Sequence, residues 1–409
     1  MPQILGIIAC LGVAVVFFSF KIHSKKVRFV HFYLLALGDI FFIANAVYFY
    51  WSEYLESVKG LYFGGVGHGI IYTTGLSYMH FRLASNEFRI FKIGLCHIVY
   101  LIGIVSTVHG VELISVDLEK IFTKVRHMIL SSATIGFMLL LINETLHAGG
   151  LFDYKMCRDE ELNAANEKGD LFQSALAFSP FPRTDGNAPA HDNTREPNQR
   201  RQTFLTLLMI FSKIKNYMTY HAVFVAFFVF FSEDFFRARS YFAMHYLVLL
   251  GAITGLCISL KLNTKTIYIV SAICVSICVL ILMIFKLTAV ILFGLYSLPI
   301  ILMYFHLGLS YFIPDCAIME MANIKCTEAS LALGYMAETI PHLITIATMK
   351  CSKFSHFDSF WHSTVIFIVI LTLLCVMIIK WIPKTWSLSI LEIQHLVLYG
   401  ENRWKPQQN

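Results

Sequence analysis

An all-α, polytopic membrane protein built from two helical bundles, with about eleven transmembrane helices, is what this sequence predicts, and three observations carry the prediction. The chain is 57% hydrophobic and only 14% charged, with a mean hydropathy of +0.66, whereas a soluble domain runs near a quarter charged. Its apolar residues gather into eleven runs, each close to the roughly 18–25 residues that cross a ~30 Å hydrocarbon core as a helix. One long polar stretch, 148–205, separates the first five runs from the last six.

The first set lies near 3–20, 29–50, 60–82, 92–110 and 125–147. The run Ile4 to Phe20 has no basic residue before it and no small-residue cleavage site after it, so it reads as a retained span rather than a cleaved signal peptide. Lys21, Lys25, Lys26 and Arg28 follow it directly, which places the N-terminus outside the cytoplasm. The second set lies near 206–232, 241–260, 266–285, 288–312, 328–348 and 361–382. Between the sets, "CRDEELNAANEKGD" is mixed in charge and compatible with a helix, while "SPFPRTDGNAPAHDNTREPNQRR" has the composition of a disordered segment. The expected organisation is an N-terminal bundle at 1–147, a partly disordered cytoplasmic loop at 148–205, a C-terminal bundle at 206–382 and a cytoplasmic tail at 383–409. The net charge of +6 is small for 409 residues and gives no reason to expect nucleic acid. Ten cysteines form no CxxC pair, as suits buried apolar residues rather than disulfides or metal ligands. The glycosylation acceptor Asn143-Glu144-Thr145 falls at a span end, a poor place for a surface sugar.

"GLYFGGVGHGIIYTTGLSYMHF", residues 60–81, crowds glycines together as a phosphate loop does. A phosphate loop needs a strand before it, a helix after it and a lysine or later acid, and none of these surrounds this stretch. In a membrane helix, glycine serves another end: without a side chain it lets a neighbouring backbone come close. Gly60, Gly64, Gly67, Gly75 and Ser77 are therefore expected to form a helix-packing stripe. A helix that opens on Gly60, Phe63, Gly65, Gly67 and Gly69, continues to Tyr78 and ends in a loop with Arg82 and Arg89 resembles the fourth helix of the major facilitator superfamily, its sugar-porter branch in particular. "IPDCAIMEMANIKCTEAS" resembles the cytoplasmic end of that family's tenth helix and keeps Pro314, Glu320 and Lys325. The likeness spans most of the chain and includes the loop between two helix sets.

The departures are specific. The basic loop between the family's helices two and three carries an aspartate and glycines that "SFKIHSKKVRFV" lacks, and "SLKLNTKTIYIV" is equally worn. Phe81 stands where the family has an acid, and Thr327 where it has an arginine. In the family these groups form an ion-pair network that latches the cytoplasmic side, so the resemblance gives Glu320, Lys325 and Arg89 a gating role and implies a latch that is weakened or replaced. The glutamine pair that holds sugar hydroxyls in the family's seventh helix is missing from "NYMTYHAVFVAFFVFFSEDFF". On the family plan the span at 3–20 takes the place of the second helix, and the expectation is that an apolar in-frame segment lies upstream of Met1.

An ionisable side chain inside a span is costly and normally faces a cavity or a partner. Asp39 lies mid-span with Asn45 beyond it, on a helix the resemblance makes peripheral. Glu338 and His342 are four apart around Pro341, on one face of a helix that proline is expected to kink. They are the leading candidates for a proton or substrate site. His68, His221 and His306 fall on helices that line the family's cavity and complete the candidate substrate-binding set, while His80, His97 and His245 read as packing residues. No His/Glu spacing suggests a metal centre, and no nucleophile–base pair suggests an enzyme. The function expected is movement of a sugar or similar organic solute by alternating access, with a proton considered as coupling ion, the lipid bilayer as surroundings, no cofactor, and the plasma membrane as location. The competing readings are a transporter-derived receptor or scaffold that has lost transport and a seven-span receptor, which the span count disfavours.

Overall fold

The computed structural model describes residues 2–19, 24–51, 54–82, 89–112, 199–230, 234–287, 297–323, 326–351, 356–385, 388 and 390–399, with a few residues between 130 and 142. They are helical almost throughout, with no strand among the described residues. The first half contributes α1 (Pro2–Ser19), α2 (Ser24–Trp51), α3 (Tyr54–Arg82) and α4 (Arg89–Glu112). The second half contributes α5 (Gln199–Ser212), α6 (Ile214–Phe230), α7 (Asp234–Ser259), α8 (Thr264–Leu287), α9 (Ser297–Leu309), α10 (Ile313–Met321), α11 (Thr327–Cys351), α12 (His356–Trp381) and α13 (Ile390–Tyr399). Most of the span expected at 125–147, and the loop from 148 to 198, lie outside the described residues. Helix α5 begins at Gln199, inside the stretch the sequence assigns to the loop.

Two crossings are interrupted: the span expected at 206–232 holds the junction of α5 and α6, and α9, within the span expected at 288–312, is followed beyond that span by α10. Lys213 is the turn between α5 and α6, where its amide bonds the Ile210 carbonyl at 3.2 Å and the Asn216 amide bonds the Lys213 carbonyl at 3.0 Å. These tight i−3 bonds replace the α-helical ones for one turn. The second break lies between α9 and α10, and Pro314 at the start of α10 explains it. Proline cannot donate to the carbonyl four residues back, and the Ile313 amide bonds the Ser310 carbonyl instead, at 3.3 Å. The breaks join: Asn216 Nδ2 donates to the Tyr311 carbonyl at 3.3 Å, and the Tyr268 hydroxyl donates to the Ser212 carbonyl at 2.9 Å. Interrupted helices survive at membrane depth only when such partners satisfy the released backbone.

Helix packing follows the small residues. A Cβ on Gly67 would stand 2.8 Å from the Gly38 carbonyl oxygen of α2, and one on Gly69 would run into the Gly6 carbonyl of α1. Gly60 is buried, and Gly64 sits against the Asn45 amide rather than a backbone. The second half repeats the device in "GAITG", residues 251–255. A side chain on Gly251 or Gly255 would strike the Phe305 or Leu309 carbonyl of α9, and one on Gly308 would strike Val248 of α7. The halves meet through α1 against α11 and α4 against α7. On α12, Ile366, Val369, Leu373 and Val376 stand exposed in a helical stripe, a surface that lipid and not water can cover. The stretches Val30–Tyr48, Thr264–Phe285 and Ser297–Met321 are long and apolar enough to cross a membrane. The chain is an integral, multi-pass membrane protein. Within the region expected to be tail, Ile393 and Val397 of α13 are buried, and Gln394 caps the end of α10 by donating to the Glu320 and Ala322 carbonyls at 2.7 and 2.8 Å.

Candidate functional site

A cavity of about 610 Å³ opens between the two halves, within the usual range for small-molecule sites. Helix α3 lines it with one face, from Gly65 through His68 and Tyr72 to Met79, a depth of roughly 20 Å at 1.5 Å per residue. Gly75 faces it too, and a Cβ there would touch nothing closer than Leu35 at 3.8 Å. The glycines of this helix thus divide: Gly67 and Gly69 admit neighbouring backbones, while Gly65 lines the cavity and Gly75, expected in the packing stripe, opens onto it instead.

At the centre, Lys213 reaches from the break between α5 and α6. Its ammonium lies 2.8 Å from Asp315 Oδ1 and 2.9 Å from Glu338 Oε2, and it also contacts the Tyr72 hydroxyl. The Tyr72 hydroxyl donates to Asp315 Oδ1 at 2.7 Å, and His97 Nε2 lies 3.5 Å from Asp315 Oδ2. Asp315 sits in the first turn of α10, where the helix dipole favours a negative charge. The break therefore places the acid beside a lysine and at the positive end of a helix. Lys213 and Asp315 are each only 2% exposed, whereas the Glu338 side chain is 24% exposed. Both halves contribute: Tyr72 and His97 come from the first, and Lys213, Asp315 and Glu338 from the second. His68 Nδ1 meets the Tyr335 hydroxyl at 3.1 Å across the same seam.

Of the residues expected at the site, the structure brings His68 and Glu338 to this cavity. His221 stacks on Tyr217 with ring centroids 6.0 Å apart, and neither it nor His306 is among the cavity residues. The His306 carbonyl accepts from Ser271 Oγ at 2.6 Å and Ser310 Oγ at 3.2 Å. His342 lies on α11, but its side chain is outside the described residues, as are the side chain of Arg89 and all of Lys325. Glu320 is buried near the end of α10. Sequence reasoning did not single out Lys213, Asp315, Tyr72 or Tyr335, although a lysine and an aspartate inside apolar runs are themselves a signal.

A second cluster ties the halves together toward the Arg82 end of α3. Ser77 Oγ donates to Glu328 Oε1 at 2.7 Å and meets His31 Nε2 at 3.3 Å. All three are buried, and they join α2, α3 and the start of α11.

No protein-family model matches the chain, and no curated protein matches it. Solved structures do. A structure described as the proton:xylose symporter XylE bound to 6-bromo-6-deoxy-D-glucose superposes with a TM-score of 0.65 over 96% of this chain and 87% of that one, at 16% identity. XylE from E. coli in a partially occluded inward-open conformation gives 0.56 over 93% and 88%, at 15% identity. The transporter FucP in its outward conformation gives 0.54 over 92% and 87%, at 14% identity. The fold is that of the major facilitator superfamily. At these identities the likeness concerns the fold alone. On that fold, the cavity between the halves, the two interrupted helices and the acid–lysine cluster are properties of this chain's own residues.

Proposed function

We propose that this protein moves a small organic solute across a membrane by alternating access, with the cavity around Lys213 as the solute site. One observation carries the reading: charged and hydrogen-bonding groups from both halves converge on one cavity at an inter-bundle seam. A site shared by two bundles is remade whenever they rock against each other, so occupancy and rocking are coupled through the same side chains. The fold supports this, since the solved structures that share it are described as transporters. The first half brings Tyr72, His68 and His97, and the second brings Lys213, Asp315 and Glu338. The His31–Ser77–Glu328 cluster supports a gating role, because it bridges the halves where the family's worn ion-pair latch would stand. Gating by Glu320, Lys325 and Arg89 belongs to the same proposal.

Alternating access can be tested before the solute is known. Cys96 lines the cavity and is partly exposed. In right-side-out and inside-out vesicles, a membrane-impermeant thiol reagent should modify Cys96 from either face, read by mass spectrometry of its peptide with Cys96→Ser as control. Modification in only one of the two vesicle types would remove alternating access and leave the non-transporting receptor reading.

A further inference from the structure

We infer that the solute is a monovalent organic cation with an apolar body, rather than a neutral sugar. The inference rests on the proposed reading of the cavity as a solute site and names what that site selects. Charge balance is its first support. Among the described residues lining the cavity, one ammonium faces two carboxylates. With the two imidazoles neutral, one negative charge is left over. The two acids do not share it equally. Asp315 is held by Lys213 and the Tyr72 hydroxyl, with His97 alongside, and is almost fully buried. Glu338 has Lys213 as its only polar partner among the described residues, through Oε2, and it is the more exposed of the two. The surplus charge therefore lies at Glu338 and faces the open volume.

The walls give the second support. Tyr72, Tyr100, Tyr311 and Tyr335 line the same cavity. Aromatic faces attract a cation within about 6 Å of the ring centre, most strongly where water is excluded. Lys213 already shows this, with Nζ 4.9 Å from the Tyr72 ring centre. The third support is what the lining lacks. No asparagine, glutamine or arginine is among the described lining residues, and Lys213, Asp315 and Tyr72, like His68 and Tyr335, already bond one another, so a ring of sugar hydroxyls would have to break these bonds to replace those it loses from water. A polar solute that leaves its groups unpaired binds poorly. An ammonium needs one counter-charge and apolar or aromatic walls, and both are present.

The test compares butyrylcholine with its uncharged carbon isostere, 3,3-dimethylbutyl butyrate, on the purified full-length protein in nanodiscs, with D-xylose as the sugar control. Affinities are read from thermal stabilisation across a ligand titration. The cation should bind at least tenfold more tightly than the isostere, and Glu338→Gln should bring the two within about threefold of each other. Tyr335→Leu removes a ring and no charge, so it should weaken the cation several-fold and the isostere less, which keeps the test decisive if Glu338→Gln folds poorly. Equal affinities for the wild-type pair, or stabilisation by D-xylose alone, would overturn the inference. Two-sided labelling of Cys96 together with equal affinities defeats the cation and spares transport. Selective binding of the cation together with one-sided labelling defeats transport and spares the cation.

Discussion

Lys213 and Lys215 are two residues apart, both inside an apolar run and both buried, yet they meet opposite environments. Lys213 points into the seam between the halves, where two carboxylates and a tyrosine receive it. Lys215 points into the second half, where it donates to Ser271 Oγ at 2.9 Å and contacts Ser310 Oγ, with the Tyr268 ring centre 4.9 Å away. Among the described residues no carboxylate pairs with it. Lys213 is the turn before α6 and Lys215 lies in its first turn, so Ser-Lys-Ile-Lys sends one lysine each way. Burial alone does not mark a functional charge. On the proposed mechanism position relative to the seam does, because only there would a change in the bundles' arrangement change the charge's partners.

The largest effect that would separate the two is loss of the seam lysine. Lys213→Met leaves Asp315 and Glu338 facing each other without their shared cation. Removing one partner of a buried pair costs about 3–5 kcal/mol, which should appear as a fall of roughly 5–10 °C in the detergent melting temperature. Adding Asp315→Asn and Glu338→Gln to the same chain removes the stranded charges and should restore most of that loss. A triple variant no more stable than Lys213→Met would show that the lysine matters for packing and not for charge.

The sequence shows some of the groups that meet at the seam but not which of them meet, and the reasons are physical. Gly67 was legible as a packing position because close approach depends only on a missing Cβ. The same signal in "GAITG" reaches equally close contacts with α9, so the rule held where it was not applied. Glu338 was legible because a carboxylate in an apolar run must find a cavity or a cation. Its cation was not, since Lys213 lies on another helix and spacing along a chain cannot say which helices meet. The same holds for His68 with Tyr335, 267 residues apart, and Ser77 with Glu328, 251 apart. The His31–Ser77–Glu328 cluster was not legible either, since its histidine and serine match none of the family motif residues. The helix breaks were half legible: Pro314 announces one, while nothing around Lys213 announces the other.

An intermediate effect is expected from the second inter-bundle cluster. Ser77→Ala deletes the hydroxyl that bridges His31 and Glu328 while all three positions stay buried. A lost buried hydrogen bond to a charged group is worth about 1.5–3 kcal/mol. If that energy holds the halves in one arrangement, its loss changes the population ratio of the two arrangements by at least about tenfold. The readout is Cys96: its labelling rates from the two faces should shift in opposite directions, with little change in protein amount. Rates that fall or rise together would mean that the cluster stabilises both arrangements alike and is not a latch.

The smallest effect should come from the lysine that looks, by sequence, most like Lys213. Lys215→Met exchanges an ammonium for an apolar chain of similar length in a fully buried position. Burying an ammonium carries a desolvation cost of several kcal/mol, which the two serine hydroxyls and the ring only partly offset, and no opposite charge is stranded by its removal. Ser271 and Ser310 keep their own acceptor, the His306 carbonyl, so the variant leaves no donor unpaired there. Methionine also adapts its shape to irregular space. The melting temperature should therefore change by no more than about 2 °C, or rise, and Cys96 labelling should stay two-sided. A loss as large as that of Lys213→Met would show that the ammonium of Lys215 organises the join between the two helix breaks. The distinction between a seam charge and a bundle charge would then fail, and both lysines would have to be read as one element of the interrupted helix.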